Sequence, residues 1–311
     1  MDVFVLPINI KNIRDAVTRT MLFFDIFNFP MTLDEISHYL LGLKVDRPHL
    51  KIYLEESRTI EHYHGYYFLK GRHELVERRN KNLVVTDKLW RKVYRFLKFF
   101  RMVPFIKMIA VCNTLAYNNP TQESDIDLFV VAKKGRLFTC RAILSVLAHF
   151  LGVRRHGGKI AGRFCLSFFV SENAMNLEPL CLKPYDIYMA YWAMSLAPVF
   201  GEETYMKFVA ENAWLKRYFP EGLIPGTEFL SKPGFISRGI KYFFEQMLLG
   251  SFGDWIEKFL EKFMINRAEI KAANLPDRRG IVISPEMLKF HDNDMREIIR
   301  ELWEARIRIF K

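Results

Sequence analysis

The tripeptide Asp125-Ile126-Asp127 opens an apolar run, Leu128-Phe129-Val130-Val131-Ala132, that reads as a buried β-strand. Residues two apart on a strand share a face, so the two carboxylates project side by side with their backbones about 6–7 Å apart. Like charges at that spacing repel, and one is driven toward protonation unless something positive stands between them. A divalent cation is the economical answer. Mg²⁺ takes one or two carboxylates and completes its shell with phosphate oxygens and water. The alternative is a strand mouth at which one Asp caps a turn and the other is solvated.

Upstream, FIKMIAVC is a second apolar strand that runs into a polar turn, Asn113-Thr114, ten residues before Asp125. Strand, turn, spacing and Asp-x-Asp together resemble the signature of the DNA polymerase β-like nucleotidyltransferase superfamily. The resemblance covers about 70 residues, from Pro104 to about Val170. More loosely, the whole chain looks like prokaryotic proteins that fuse an N-terminal winged helix to such a domain. In the superfamily a Gly-Ser or Gly-Gly turn cradles the nucleotide phosphates. Two acids hold Mg²⁺, which bridges the triphosphate and lowers the barrier to in-line attack at the α-phosphorus. The resemblance therefore implies Asp125 and Asp127 as metal ligands and catalytic acids. It implies Asn113 and Thr114 as the phosphate-contacting turn, Mg²⁺ as cofactor, and an NTP such as ATP as substrate.

Two departures stand out. Asn113 replaces a Gly that would accept positive φ freely; Asn tolerates that conformation but adds bulk. Thr114 keeps a hydroxyl able to reach a phosphate oxygen. Members of the superfamily also place a third carboxylate on a later strand, and the strand Phe164–Val170 has none. Glu172 and Asp186 are the nearest acids, and the spacing assigns neither. A site without the third acid uses one metal, transfers slowly, or only binds nucleotide.

Lys133, Lys134 and Arg136 follow the Asp strand, either within reach of a triphosphate or simply solvated. Arg141, on the next helix among apolar residues, is a further nucleotide-binding candidate beside Lys133. RRHGGK, residues 154–159, is a basic turn suited to a polyanion, but Gly-x-x-x-x-Gly-Lys is absent. His62 and His64 share a strand face without an acid or Cys at ligand spacing. Neither a hydrolase elbow nor a dinucleotide fingerprint is present.

The elements that position these residues follow from hydrophobic period and end signals. NIRDAVTRTMLFFDIFNF is an amphipathic helix stopped at Pro30, and Thr32-Leu-Asp-Glu35 is a capping box that starts a second one ending near Gly42. Pro48 opens a third helix with Leu50, Leu54 and Ile60 inward, and EHYHGYYFLKG forms a hairpin around Gly65. Three helices and a ribbon over residues 1–72 are the order of a winged helix. Residues 70–101 carry eleven Lys or Arg against three acids. In the linker helix 73–101, Lys88, Arg91, Arg95 and Lys98 line one face, either solvated or in contact with nucleic-acid phosphates. Residues 102–178 alternate strands and a helix, LFTCRAILSVLAHFLG, as a small α/β sheet domain does. Residues 179–311 read as helical, including one long helix from about Phe235 to Asn266.

A net charge of +11 over 311 residues favours polyanionic partners. The four cysteines have no Cys-x-x-Cys spacing and read as small buried residues of a reducing compartment. The start, MDVFVLPINIK, lacks a basic n-region, and no apolar run is long enough to span a bilayer, so a cytoplasmic protein without membrane contact is expected. The expected fold is α/β (α+β). A small mixed-sheet nucleotidyltransferase-like domain is flanked by a winged helix-turn-helix and a helical C-terminal region. The expected activity is Mg²⁺-dependent transfer of a nucleotidyl group from an NTP to an acceptor hydroxyl that the sequence does not identify. The alternative is a nucleic-acid-binding regulator or nucleotide sensor whose domain has lost catalysis.

Overall fold

A computed structural model describes residues 12–310, apart from 224, 225, 227, 233, 276 and 292. The opening segment read for a leader lies outside these residues, except that Asn12 caps the first helix. Its side chain accepts from the Asp15 N–H at 2.9 Å and starts α1, Ile13–Ile26. Thr32 and Glu35 form the expected capping box, with N–H to side-chain oxygen distances of 2.8 and 3.2 Å, and launch α2, Leu33–His38. Asp46 caps α3, Arg47–Glu56, with Pro48 in its first turn. Leu50 and Leu54 point inward as expected. Ile60 is buried too, but from a strand, because Ser57 takes extended backbone and ends the helix early.

The hairpin pairs β2, Ile60–Tyr63, with β3, Tyr66–Leu69. His64 and Gly65 both have positive φ, as a two-residue turn of this hand requires. A third strand absent from the sequence reading, β1 (Met31–Thr32), pairs with β3 and gives the order β1-β3-β2. Helix, strand, two helices and two strands follow in that order, with the three strands forming a small antiparallel sheet.

The long helix α4, Glu74–Phe100, leads to a second sheet. Its strands are β4 (Ile106–Cys112), β5 (Ile126–Ala132), β6 (Phe164–Ser171), β7 (Ala197–Phe200), β8 (Ile281–Ser284) and β9 (Met287–Phe290), in the order β7-β4-β5-β6-β9-β8. Only β5 and β6 run parallel; the other neighbours are antiparallel. Half of these strands come from the segment read as helical. At four residues each they are too short for a period to show, and β7 carries Pro198, which suits an edge. The intervening helices are α5 (Asn113–Ala116), α6 (Leu137–Phe150), α7 (Ile187–Met194), α8 (Glu202–Glu211), α9 (Phe235–Met247), α10 (Gly250–Ala273) and α11 (Arg296–Phe310). The single long helix expected from Phe235 is thus two, broken at Leu248-Leu249, where Leu249 leaves helical backbone and Gly250 has φ +75.

Strand alternation divides the sheet's two faces. Met108, Ala110, Cys112, Phe129, Val131 and Phe168 join the core formed with α1, α2, α3 and α7. Ile109, Val111, Leu128, Val130 and Phe169 pack with α4 and α6 on the other side. Arg79 of α4 ties the parts together. It is buried, pairs with Glu35 at 2.6 Å, donates to the Tyr117 carbonyl at 3.3 Å and stacks 3.9 Å from the Phe29 ring centroid. Helices α9 and α10 leave Phe243, Trp255, Phe259 and Phe263 exposed. No helix among the described residues is long and apolar enough to cross a membrane.

Candidate functional site

Asp125 and Asp127 stand at the head of β5 on the face that looks toward α7. Their arrangement follows from three adjacent strands. Cys112 at the end of β4 pairs in register with Asp127, and Cys165 of β6 pairs with Asp127 on its other side. One row across the sheet therefore reads Cys112, Asp127, Cys165. Ligand atoms of Asp125, Asp127 and Cys165 lie within 4.8 Å of one another. Among the described residues no other group of three His, Cys, Asp or Glu side chains meets that test, which leaves His62 and His64 without a metal constellation.

The turn after β4 holds Asp127 in place. Asn113 adopts φ +58, the left-handed conformation for which Gly is the usual residue. Its Nδ2 donates to Asp127 Oδ2 at 2.7 Å, and its Oδ1 accepts from the Trp192 indole N–H at 2.8 Å. The Asn113 side chain is thus committed to Asp127 and α7. Thr114 beside it is exposed. Arg155, from the basic turn after α6, donates to Asp125 Oδ2 at 2.7 Å and to Cys165 Sγ at 3.7 Å. Burial, then the charge of Asp125, pushes the Asp127 carboxyl up to about 6. Burial and the neighbouring Asp127 likewise push the Cys165 thiol up to about 12.

A cavity of about 120 Å³ adjoins the pair through Asn113. Phe168, Tyr188 and Trp192 supply aromatic walls, and the Phe168 and Trp192 rings stack at 5.5 Å between centroids. Lys289 of β9 and Arg296 of α11 supply positive charge. Lys289 is buried with its Nζ donating to the Gly280 carbonyl at 2.9 Å, and desolvation, then Arg296, brings it down to about 8. Arg296 is already spoken for, with Asp186 at 3.0 Å and Asp294 at 2.6 Å.

Several candidates lie elsewhere. Lys133 ends up six residues past Asp127 along β5, about 20 Å away at strand rise. Its backbone N–H bonds the Phe105 carbonyl at the far end of the sheet. A strand exit is the wrong end for a ligand held at the strand entrance. Arg141 is on the opposite face, its guanidinium 4.9 Å from the Phe290 centroid and 5.7 Å from that of Phe169. Alternation along β5 points the carboxylates away from α6, so Arg141 cannot share their ligand. Glu172 bonds the Lys134 N–H at the far end, and Asp186 caps α7 and pairs with Arg296, so neither supplies a third carboxylate. Lys88, Arg91, Arg95 and Lys98 form an exposed stripe on α4, as their spacing predicted.

The sequence reading missed Cys165 and Arg155 as neighbours of the acid pair, Trp192 as the partner of Asn113, and Lys289 as a wall of the adjoining cavity. Only the register of β5 with β6 could have nominated Cys165; Arg155 belongs to the basic turn 154–159 that suits a polyanion, and no local pattern nominates Trp192 or Lys289. No family model matches the chain, and neither does any curated protein or solved structure.

Proposed function

We propose that the chain binds a nucleoside triphosphate with Mg²⁺ at Asp125 and Asp127 and transfers its nucleotidyl group to an acceptor hydroxyl. The observation that carries this reading is the convergence of the two carboxylates on one face, beside the left-handed Asn113 turn and an adjoining aromatic cavity. The donor set fits: two carboxylates leave room in an octahedral shell for phosphate oxygens and water. Mg²⁺, when bound, offsets phosphate charge and polarises the α-phosphorus.

The chain's own residues do the rest. Asn113 fixes the Asp127 rotamer through one hydrogen bond and is itself fixed by Trp192. Arg155 neutralises Asp125 until the cation arrives. Its side chain is 44% exposed, so it is free to swing from the carboxylate to a phosphate oxygen. The cavity walls offer π-faces for a planar group, and Lys289 a buried positive charge. The test is thermal stability with Mg²⁺ and ATP together against either alone, followed by pyrophosphate release. Ligand at about 100 times Kd adds about 2.7 kcal/mol, a readily measured shift. No added stability from the Mg²⁺–ATP combination refutes the reading.

A second reading, a nucleotide sensor or nucleic-acid-binding regulator without transfer, is favoured by one observation. Among the described residues the acid pair has a thiol where a third carboxylate would stand. Saturable Mg²⁺–ATP binding without pyrophosphate release identifies it.

A further inference from the structure

The third donor beside the acid pair has a chemistry of its own. Cys165 is 9% exposed, its thiol held against Asp127 by the strand register, and its Sγ belongs to the three-donor cluster. A cation already marks the spot: one guanidinium nitrogen of Arg155 bridges Asp125 Oδ2 and Cys165 Sγ, at 2.7 and 3.7 Å. Mg²⁺ takes oxygen ligands only, whereas thiolate selects Zn²⁺ and its relatives.

We propose that Asp125, Asp127 and Cys165 form a binding site for a thiophilic divalent cation of the Zn²⁺ class, with Cys165 as a thiolate ligand. The inference rests on the reading that the two carboxylates are metal ligands, and it needs no nucleotide. On binding, the S–H bond breaks, its proton goes to solvent, and the sulfur pair is donated to the metal. Arg155 is displaced and swings into solvent, which its exposure permits. Two carboxylates and a thiolate leave one tetrahedral position open for water. Zn²⁺ then competes with Mg²⁺ for the same two carboxylates.

Titrating the reduced, metal-free full-length chain with Co²⁺ tests this. The expected result is a thiolate-to-Co²⁺ charge-transfer band in the near ultraviolet, saturating at one equivalent. The band is lost in Cys165→Ser, with affinity falling more than about tenfold, the scale of losing even an outer-shell partner. It persists in Cys112→Ser. Absence of the band from the wild-type chain, or its survival in Cys165→Ser, overturns the proposal. Should Cys165→Ser fail to fold, X-ray absorption of the Zn²⁺-loaded wild type decides: one Zn–S distance of about 2.3 Å supports it, and an all-oxygen or nitrogen shell overturns it. Failure here is separable from failure of the nucleotide reading, because Mg²⁺–ATP stabilisation is measured without a thiophilic metal.

Discussion

The indole N–H of Trp192 donates to Asn113 Oδ1 at 2.8 Å, and Asn113 in turn donates to Asp127, so α7 reaches the acid pair through a single side chain. Trp192→Phe keeps the stack on Phe168 and removes the donor. The expected outcome is a stability loss of about 1–2 kcal/mol and weaker Mg²⁺–ATP binding, because Asp127 loses its fixed orientation. Urea unfolding and thermal shift read the two effects separately. Unchanged ligand affinity would show that the relay does not serve the site.

Asp127 makes the metal-free protein pH-sensitive in a direction that can be worked out. Its carboxyl titrates near 6 in the folded chain against 3.8 ordinarily, so the native state binds more protons between those values. The cost of the buried charge is therefore fully present above about pH 6 and is relieved as pH falls toward 4. Asp127→Asn removes it, and the variant without metal is expected to be more stable at pH 7 by about 1–2 kcal/mol, allowing for partial exposure. The gain disappears near pH 4. Denaturant midpoints across that range check the sign.

Arg79 closes a buried ion pair with Glu35 and supports the loop after Asn113 through Tyr117. Arg79→Ala leaves a partly buried carboxylate without its partner, at a cost of about 3–5 kcal/mol. Loosening of the Asn113 turn is expected with it. Chemical denaturation measures the loss, and a change under about 1 kcal/mol would show that the pair is well solvated.

The stripe Lys88, Arg91, Arg95 and Lys98 gives a test of nucleic-acid contact. If it meets phosphates, duplex DNA affinity falls steeply with salt, and replacing Lys88 and Arg91 by Gln reduces the logarithmic salt slope by about 1–2. Undetectable duplex binding at moderate salt would make the stripe a solvated helix face.

Local signals were legible where local chemistry sets the structure. The Thr32 and Glu35 capping box, the turn at Gly65 and the strand behind Asp125 appear where the residues place them. Strands β7 to β9 were not legible, because their runs are only four residues long and β7 and β9 pair with strands far along the chain. The same holds for the site. Asp125, Asp127 and Asn113 share a local motif, whereas Arg155 and Cys165 reach them only through the fold around β6, and Lys289 lines the adjoining cavity from a hairpin over 100 residues away. Lys133 misled for a simple reason: adjacency in sequence to a strand's end places a residue at the opposite end from the strand's entrance.

Calorimetric titration of the metal-depleted chain with ATP, in the presence and absence of Mg²⁺, puts the most direct question to the acid pair. Saturable binding is expected with Mg²⁺ present, lost without it and lost in both Asp125→Asn and Asp127→Asn while those variants remain folded. Binding by the Asn variants equal to that of the wild type would contradict the assignment of these two carboxylates as the grip on metal and triphosphate.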